Sequence, residues 1–153
     1  MTEAVRVRRA GPADLDAIIG LRIDFERITR DSGSFDEVLR RAEIASLLGP
    51  DLAEGALVCW LAESGRRAVA QAALRRCGRA FACGEGEILN VYTVPAYRGR
   101  GTGTALANAA IAEARCLGMS RLRLQPTEDS RRIYERAGFR QRGGCMIFDL
   151  ERS

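Results

Sequence analysis

The chain has 153 residues, a length that suits one domain with a sizeable core. Its net charge is +4, every basic residue is arginine, and histidine is absent, which removes the commonest general base and metal ligand. Aromatic residues make up 6%, too few to interleave with the arginines as stacking platforms, so no nucleic-acid face is expected.

Five cysteines, an odd number with no C-x-x-C pair, argue against a disulfide framework or a zinc site. They are expected to be reduced and mostly buried, in the cytoplasm. No apolar run approaches the ~18 residues of a membrane span. Met1-Thr2-Glu3-Ala4 leads straight into a charged strand pattern and reads as no signal peptide. The arginines fall in scattered pairs (Arg8-Arg9, Arg40-Arg41, Arg66-Arg67, Arg75-Arg76, Arg131-Arg132), which reads as a solvated surface.

In chain order, Val5-Arg6-Val7-Arg8 alternates as a first strand. Gly11-Pro12-Ala13-Asp14 turns into a helix with Ile18, Leu21, Phe25 and Ile28 at helical spacing. Polar residues from Thr29 to Gly33 end it. Ser34-Phe35-Asp36-Glu37 has the form of a capping box with Ser34 as cap. The second helix is predicted to bury Val38, Ala42 and Ala45 and to stop at Gly49-Pro50. Ala56 to Ala62 is near-continuously apolar, a strand buried on both faces. Ser64-Gly65 turns it back into a strand from Ala68 to Leu74. Cys77 to Gly84 is glycine-rich and reads as a mobile loop. A strand from Glu85 to Val94 follows, then an alanine-rich helix from Thr104 to Leu117 with Gly118 at its end. Arg121 to Gln125 alternates as a strand. A short helix, Ser130 to Ala137, stops at Gly138, with Thr127 as its expected cap. Arg140 to Leu150, with Gly143-Gly144, reads as a hairpin. The order β-α-α-β-β-β-α-β-α-β-β predicts an α+β fold: a mixed, mostly antiparallel sheet flanked by helices, in one domain over 1–153.

The chemistry concentrates at Arg98-Gly99-Arg100-Gly101-Thr102-Gly103, between a strand and a helix. Glycines let another group approach the backbone. The opening turn of a helix has N–H groups without intrahelical partners and carries partial positive charge. Arg98 and Arg100 add full charge. Together these features make an anion site, and phosphate is its usual occupant. It is not a P-loop, since the chain has no lysine, and neither glycine frame completes G-x-G-x-x-G.

This loop, with Ile88-Leu89-Asn90-Val91-Tyr92-Thr93-Val94-Pro95 before it, resembles the pyrophosphate loop and preceding strand of GNAT N-acetyltransferases, bacterial members among them. Ile133-Tyr134-Glu135-Arg136-Ala137-Gly138-Phe139 resembles their second signature, a helix carrying a tyrosine and ending in Gly-Phe. The resemblance covers about half the chain. It implies the GNAT fold, acetyl-CoA as cosubstrate without a metal, and transfer of the acetyl group to an amine in a ternary complex. Arg98, Gly99, Arg100, Gly101, Thr102, Gly103 and Thr104 would hold the pyrophosphate. Tyr92, Thr93 and Val94 would line the pantetheine, with an N–H near Tyr92 or Thr93 polarising the thioester. The family's asparagine at the start of the last helix is missing, and Ser130 or Thr127 is its replacement candidate.

Tyr134 stands where the family places the acid that meets the departing thiolate; the alternative is an aromatic packing that helix on the sheet. Glu87, eleven residues before Arg98, stands where some members carry a base; the alternative is a salt-bridge partner, and Glu85 is the runner-up. On a regular strand Asn90 and Tyr92 would share the face opposite Glu87 and Leu89. Asn90 is a candidate for touching the acceptor or for a structural hydrogen bond. The expected acceptor is a small-molecule amine or a peptide N-terminus, with no nucleic acid and no membrane, on a monomer or homodimer. The residues from Ile28 to Phe35 are a candidate acceptor lid. A non-catalytic acyl-CoA-binding module and an enzyme acting on charged tRNA are the competing readings.

Overall fold

The computed structural model describes residues 3–29, 35–77 and 84–150. The elements are β1 (Val5–Arg9), a 3-10 turn (Pro12–Asp14), α1 (Leu15–Thr29), α2 (Glu37–Glu54), β2 (Leu57–Ser64), β3 (Arg67–Cys77), β4 (Glu85–Thr93), a 3-10 turn (Pro95–Tyr97), α3 (Thr102–Cys116), β5 (Arg121–Leu124), α4 (Arg131–Ala137), β6 (Arg140–Arg142) and β7 (Cys145–Asp149). The seven strands form one sheet in the order β1-β2-β3-β4-β5-β7-β6. All neighbours are antiparallel except β4 and β5, whose connection runs through α3. This is the predicted α+β order.

Strand alternation separates the faces of the sheet. Arg75 of β3 pairs with Asp51 of α2, so that face carries α2. Its neighbour Leu74 points the other way and, with Leu122, crowds Gly86 together with Met119 just past α3. Helices α1 and α2 therefore cover one face, and α3 covers the other. A Cβ on Gly103 of α3 would meet Ile133 of α4 at 3.3 Å, which puts α4 beside α3. On the α3 face Leu106, Ala107, Ala110, Ile111 and Ala114 are buried. On the other, α1 buries Ile18, Ile19, Leu21 and Ile23, and α2 buries Ile44, Leu48 and Leu52.

Several expectations are corrected. The buried stripe of α2 is Ile44, Leu48 and Leu52; Val38 is 80% exposed, Ala42 is exposed and Ala45 half-buried. The helix continues through Pro50, because Leu52 must still reach the core, and it ends at Gly55 with φ +78°. Its cap is Asp36, whose carboxylate accepts the N–H of Leu39 at 3.1 Å. The expected cap, Ser34, lies outside the described residues. Ile28 is 56% exposed, since it falls in the last turn of α1 beyond the edge of the core. Cys59 is buried and its thiol is pushed up to about 11 by burial, Cys145 is half-buried, and Cys116 is exposed on the last turn of α3; Cys83 lies outside the described residues. Thr127 does not cap α4: its N–H and hydroxyl both turn to the Ser130 hydroxyl, at 3.0 and 2.9 Å, and Ser130 takes the cap position. Most of the proposed lid, 30–34, and of the glycine-rich loop, 78–83, also lies outside the described residues.

The arginine pairs are more than a solvated surface. Arg8 joins Asp14 at 2.7 Å and Glu63 at 2.8 Å, which holds the Asp14 carboxyl at about 2. Arg40 joins Glu26 at 2.5 Å and Glu43 at 3.1 Å. These contacts tie one element to another.

Candidate active site

The centre of the site is a bulge in β4. Gln71 of β3 lies opposite Tyr92 and Ala73 opposite Leu89, so Asn90 and Val91 together face Ala72. Asn90 takes φ +53°, which turns the strand. Partners across a ladder share a face. Tyr92 therefore lies on the same face as Leu89 and Glu87, beneath α1, and the regular-strand expectation that it opposes them is overturned by the bulge. The Tyr92 ring meets Phe25 of α1 at 5.6 Å between centroids. Burial, with Asp24 adding to it, raises the phenol of Tyr92.

The second feature is an opening. The parallel ladder between β4 and β5 holds only Glu85–Arg121, Gly86–Leu122 and Glu87–Arg123. Beyond it, β5 stays with β7 while β4 continues to Thr93. The N–H of Val94 bonds the carbonyl of Val69 at 2.9 Å. Successive N–H groups of an extended strand alternate sides, so the N–H of Thr93 points to the edge that β5 has left. Of the two sequence candidates for the carbonyl contact, Thr93 has this direction and Tyr92 does not. Sequence reasoning missed Val91, which the same alternation turns to the opening.

The edge leads to the glycine turn. Arg98 donates from Nε to the Thr93 carbonyl at 3.0 Å, with its guanidinium 5.9 Å from the Tyr92 ring centroid. The Arg100 guanidinium lies 5.0 Å from the Tyr97 ring centroid. Gly101 is the N-cap of α3 with φ +80°, where a side chain would be strained, and nothing lies within 4 Å of where its Cβ would be. No side chain caps α3, and the first backbone bond back to the cap comes from Ala105. The N–H groups of Thr102, Gly103 and Thr104 are thus the open donors of this helix. Gly103 belongs to the helix, where it admits Ile133 of α4. Arg100, Gly101 and Thr102 also line a cavity of about 540 Å3 with Ala4, Val5 and Val7.

Tyr134 is buried on α4, its ring edge-on to Phe139 at 5.7 Å, and burial pushes its phenol up to about 12. Phe139 in turn meets Phe148 of β7 at 5.2 Å. Glu87 is partly exposed at the last rung of the β4–β5 ladder, with Arg123 at 3.9 Å. Glu87 and Tyr134 thus lie on opposite faces of the sheet, Glu87 at the edge of the opening and Tyr134 packed on Phe139. The Ser130 hydroxyl is engaged in its own turn, accepting from Thr127 and donating to the Thr127 carbonyl at 3.1 Å. Asn90 accepts from Arg22 of α1 at 2.8 Å. Next to Tyr92, Gln71 is 2% exposed, and its amide nitrogen and oxygen have no hydrogen-bond partner among the described residues. Nothing in the sequence marked Gln71 beyond its being polar in an apolar strand. Among the described residues, no group of three His, Cys, Asp or Glu could hold a metal ion, and no helix is long and apolar enough to cross a membrane.

A sheet opened beside the uncapped, glycine-cleared start of a helix is the arrangement that defines an acyltransferase of the GNAT type. The family model "Acetyltransferase (GNAT) family" matches residues 19–139, and the chain belongs to that family. No curated protein sequence matches it. Among solved structures, it is similar to a predicted acetyltransferase with acetyl-CoA from Clostridium acetobutylicum, at 23% identity and TM-score 0.78 over 92% of both chains. It is similar to a GCN5-related N-acetyltransferase from Ralstonia eutropha, at 24% identity and TM-score 0.74 over 98% of both. A GNAT family acetyltransferase from Brucella melitensis, in complex with acetyl-CoA, shares 18% identity and a TM-score of 0.73 over 98% of this chain and 90% of that one.

Proposed function

We propose that the protein transfers the acetyl group of acetyl-CoA to a primary amine, a small molecule or a peptide N-terminus, directly and without a metal. The observation that carries this reading is the parting of β4 and β5 after Glu87 and Arg123, beside the open N–H groups of α3. A thioester laid along the free edge of β4 meets the Thr93 N–H at its carbonyl. The turn from Arg98 to Thr104 holds the pyrophosphate with backbone donors and two guanidinium groups. The Ser130 hydroxyl reaches the pantetheine by exchanging its bond to the Thr127 carbonyl.

In the reaction an N–C bond forms and the C–S bond breaks, and after attack the nitrogen sheds its second proton to solvent. The ammonium must first lose a proton, since such groups have pKa values near ~10. Glu87 takes it on the α1/α2 face, where the acceptor enters. Tyr134 faces the sulfur from the other side. A phenol at about 12 stays protonated throughout the working range. Full transfer from it to a thiolate of pKa near ~8.5 runs uphill, so its contribution is a hydrogen bond to the departing sulfur, whose proton comes from solvent.

The test is release of free CoA thiol from acetyl-CoA with a panel of polyamines, amino acids and peptides. Saturable release with at least one amine is expected. Tight CoA binding with no release above the amine-free rate for any of them would make the protein a binding module and end the proposal.

A further inference from the structure

Among the described residues, Asn90 is the one non-glycine with positive φ. Asparagine tolerates that region better than most residues, but less well than glycine. Something must hold it there, and its side chain is held. Arg22 of α1 donates from Nη1 to Asn90 Oδ1 at 2.8 Å. Arg22 is itself fixed on two further sides. Its Nε donates to Glu26 at 3.1 Å, and its guanidinium lies 5.4 Å from the ring centroid of Phe25, the ring that meets Tyr92. Glu26 is 3% exposed and accepts Arg40 of α2 through two guanidinium nitrogens, at 2.5 and 2.9 Å. A continuous chain of charged hydrogen bonds therefore runs from α2 through α1 to the bulge in β4. Such bonds are shorter and stronger than neutral ones, and their geometry is fixed by the planar guanidinium.

We infer that Arg22 is a positioning residue: by pinning Asn90 it holds the bulge, and the bulge aims the N–H groups of Val91 and Thr93 at the opened edge. This rests on the reading that acetyl-CoA lies along that edge. Arg22 touches neither the cofactor nor the reacting atoms in this account. The contact it tunes is the one made by the acetyl carbonyl, which CoA itself lacks.

The experiment compares acetyl-CoA with CoA by calorimetry. The parent protein is expected to bind acetyl-CoA roughly threefold to tenfold more tightly, the worth of one well-placed hydrogen bond. Arg22→Met keeps an apolar stem over Phe25 and leaves Glu26 its Arg40 partner. It should leave the CoA Kd within about twofold and bring the acetyl-CoA preference close to one. Asn90→Ala removes the other end of the same contact while sparing the Arg22–Glu26–Arg40 network, so it covers the case in which Arg22→Met does not fold, and it should give the same loss. In Arg22→Met/Asn90→Gly, glycine adopts the bulge unaided, and the preference should return. Amide exchange at Val91 to Thr93 in the ligand-free protein should rise in Arg22→Met, not in Arg27→Met, and fall back in the double variant. An unchanged preference and unchanged exchange in both single variants, with the parent binding normally, would overturn the inference alone. A parent that binds neither acetyl-CoA nor CoA would overturn the cofactor reading and this inference with it.

Discussion

The two faces of the sheet are built from different materials. On the α3 face the helix lays Ala107, Ala110 and Ala114 against the strands, with Leu106 and Ile111 between them, all buried. Small side chains bring α3 close and aim its N-terminus at the turn after β4. On the other face α1 and α2 also bury aliphatic residues, but charged contacts fasten them to each other and to β3 and β4. Glu26 binds Arg22 and Arg40, Arg27 binds Glu37, Arg22 binds Asn90, and Asp51 binds Arg75. Apolar packing is non-directional, whereas a guanidinium–carboxylate pair fixes orientation. The α3 face is thus set by close packing and bare backbone, and the α1/α2 face by a network of directed charges.

This contrast makes its largest prediction at Tyr134, on the closely packed side. Tyr134→Phe removes one oxygen and keeps the ring against Phe139. Turnover should fall by about 10²-fold, the worth of one hydrogen bond to charge that develops in the transition state, with CoA affinity and Tm nearly unchanged. Because burial holds the phenol at about 12, the parent should show no alkaline decline assignable to this group up to pH 11. Stopped-flow turnover under conditions where chemistry limits the rate measures this; full activity in the variant would leave Tyr134 as packing alone.

The charged side should fail through stability instead. Glu26→Gln breaks a buried, doubly paired carboxylate and should cost about 3 kcal/mol at pH 7 by urea unfolding. The Arg40 contact, then the Arg22 contact, holds the Glu26 carboxyl at about 2, below its unfolded value. A depressed carboxylate contributes its stability above the unfolded pKa and loses it as pH falls through the folded one. The gap between parent and variant should be full above about pH 5 and close as pH falls toward 2. A gap independent of pH would refute the ionic account.

A smaller effect is expected at Glu87. Glu87→Gln should lower kcat/KM most at neutral pH, with part of the loss recovered as rising pH frees the amine. A pH–rate profile parallel to the parent's would remove Glu87 from the mechanism. The smallest concerns the outer side of α2: Val38→Lys should change stability by no more than about 0.5 kcal/mol, because Val38 is 80% exposed. A cost of a buried-core kind would contradict the orientation of the helix.

How much of this was legible in the sequence follows the same division. The element order, the glycine turn and the α4 tyrosine are local patterns, and they were readable because each depends on neighbours in the chain. Four things were not. The bulge at Asn90 shifts strand parity without a glycine or proline to announce it, so regular alternation puts Tyr92 on the face opposite the one it occupies. The buried face of α2 is not marked by its pattern, because its apolar residues nearly encircle it; the choice of Ile44, Leu48 and Leu52 over Val38 is made by tertiary contact. The arginine network was invisible because its partners are distant: Arg22 and Asn90 are 68 residues apart, and Arg40 and Glu26 are 14 apart. Gln71, buried with no partner among the described residues, carries no sequence signal beyond being a polar residue in an apolar strand.

The central claim is that acetyl-CoA lies between β4 and β5, with its pyrophosphate on the α3 turn. An NMR titration of the amide resonances with acetyl-CoA tests it most directly. The account predicts the largest shifts at Thr93 and at Gly101 to Thr104, with the exposed outer side of α2 around Val38 nearly silent. Saturating shifts confined to other elements, with those amides unmoved, would contradict it.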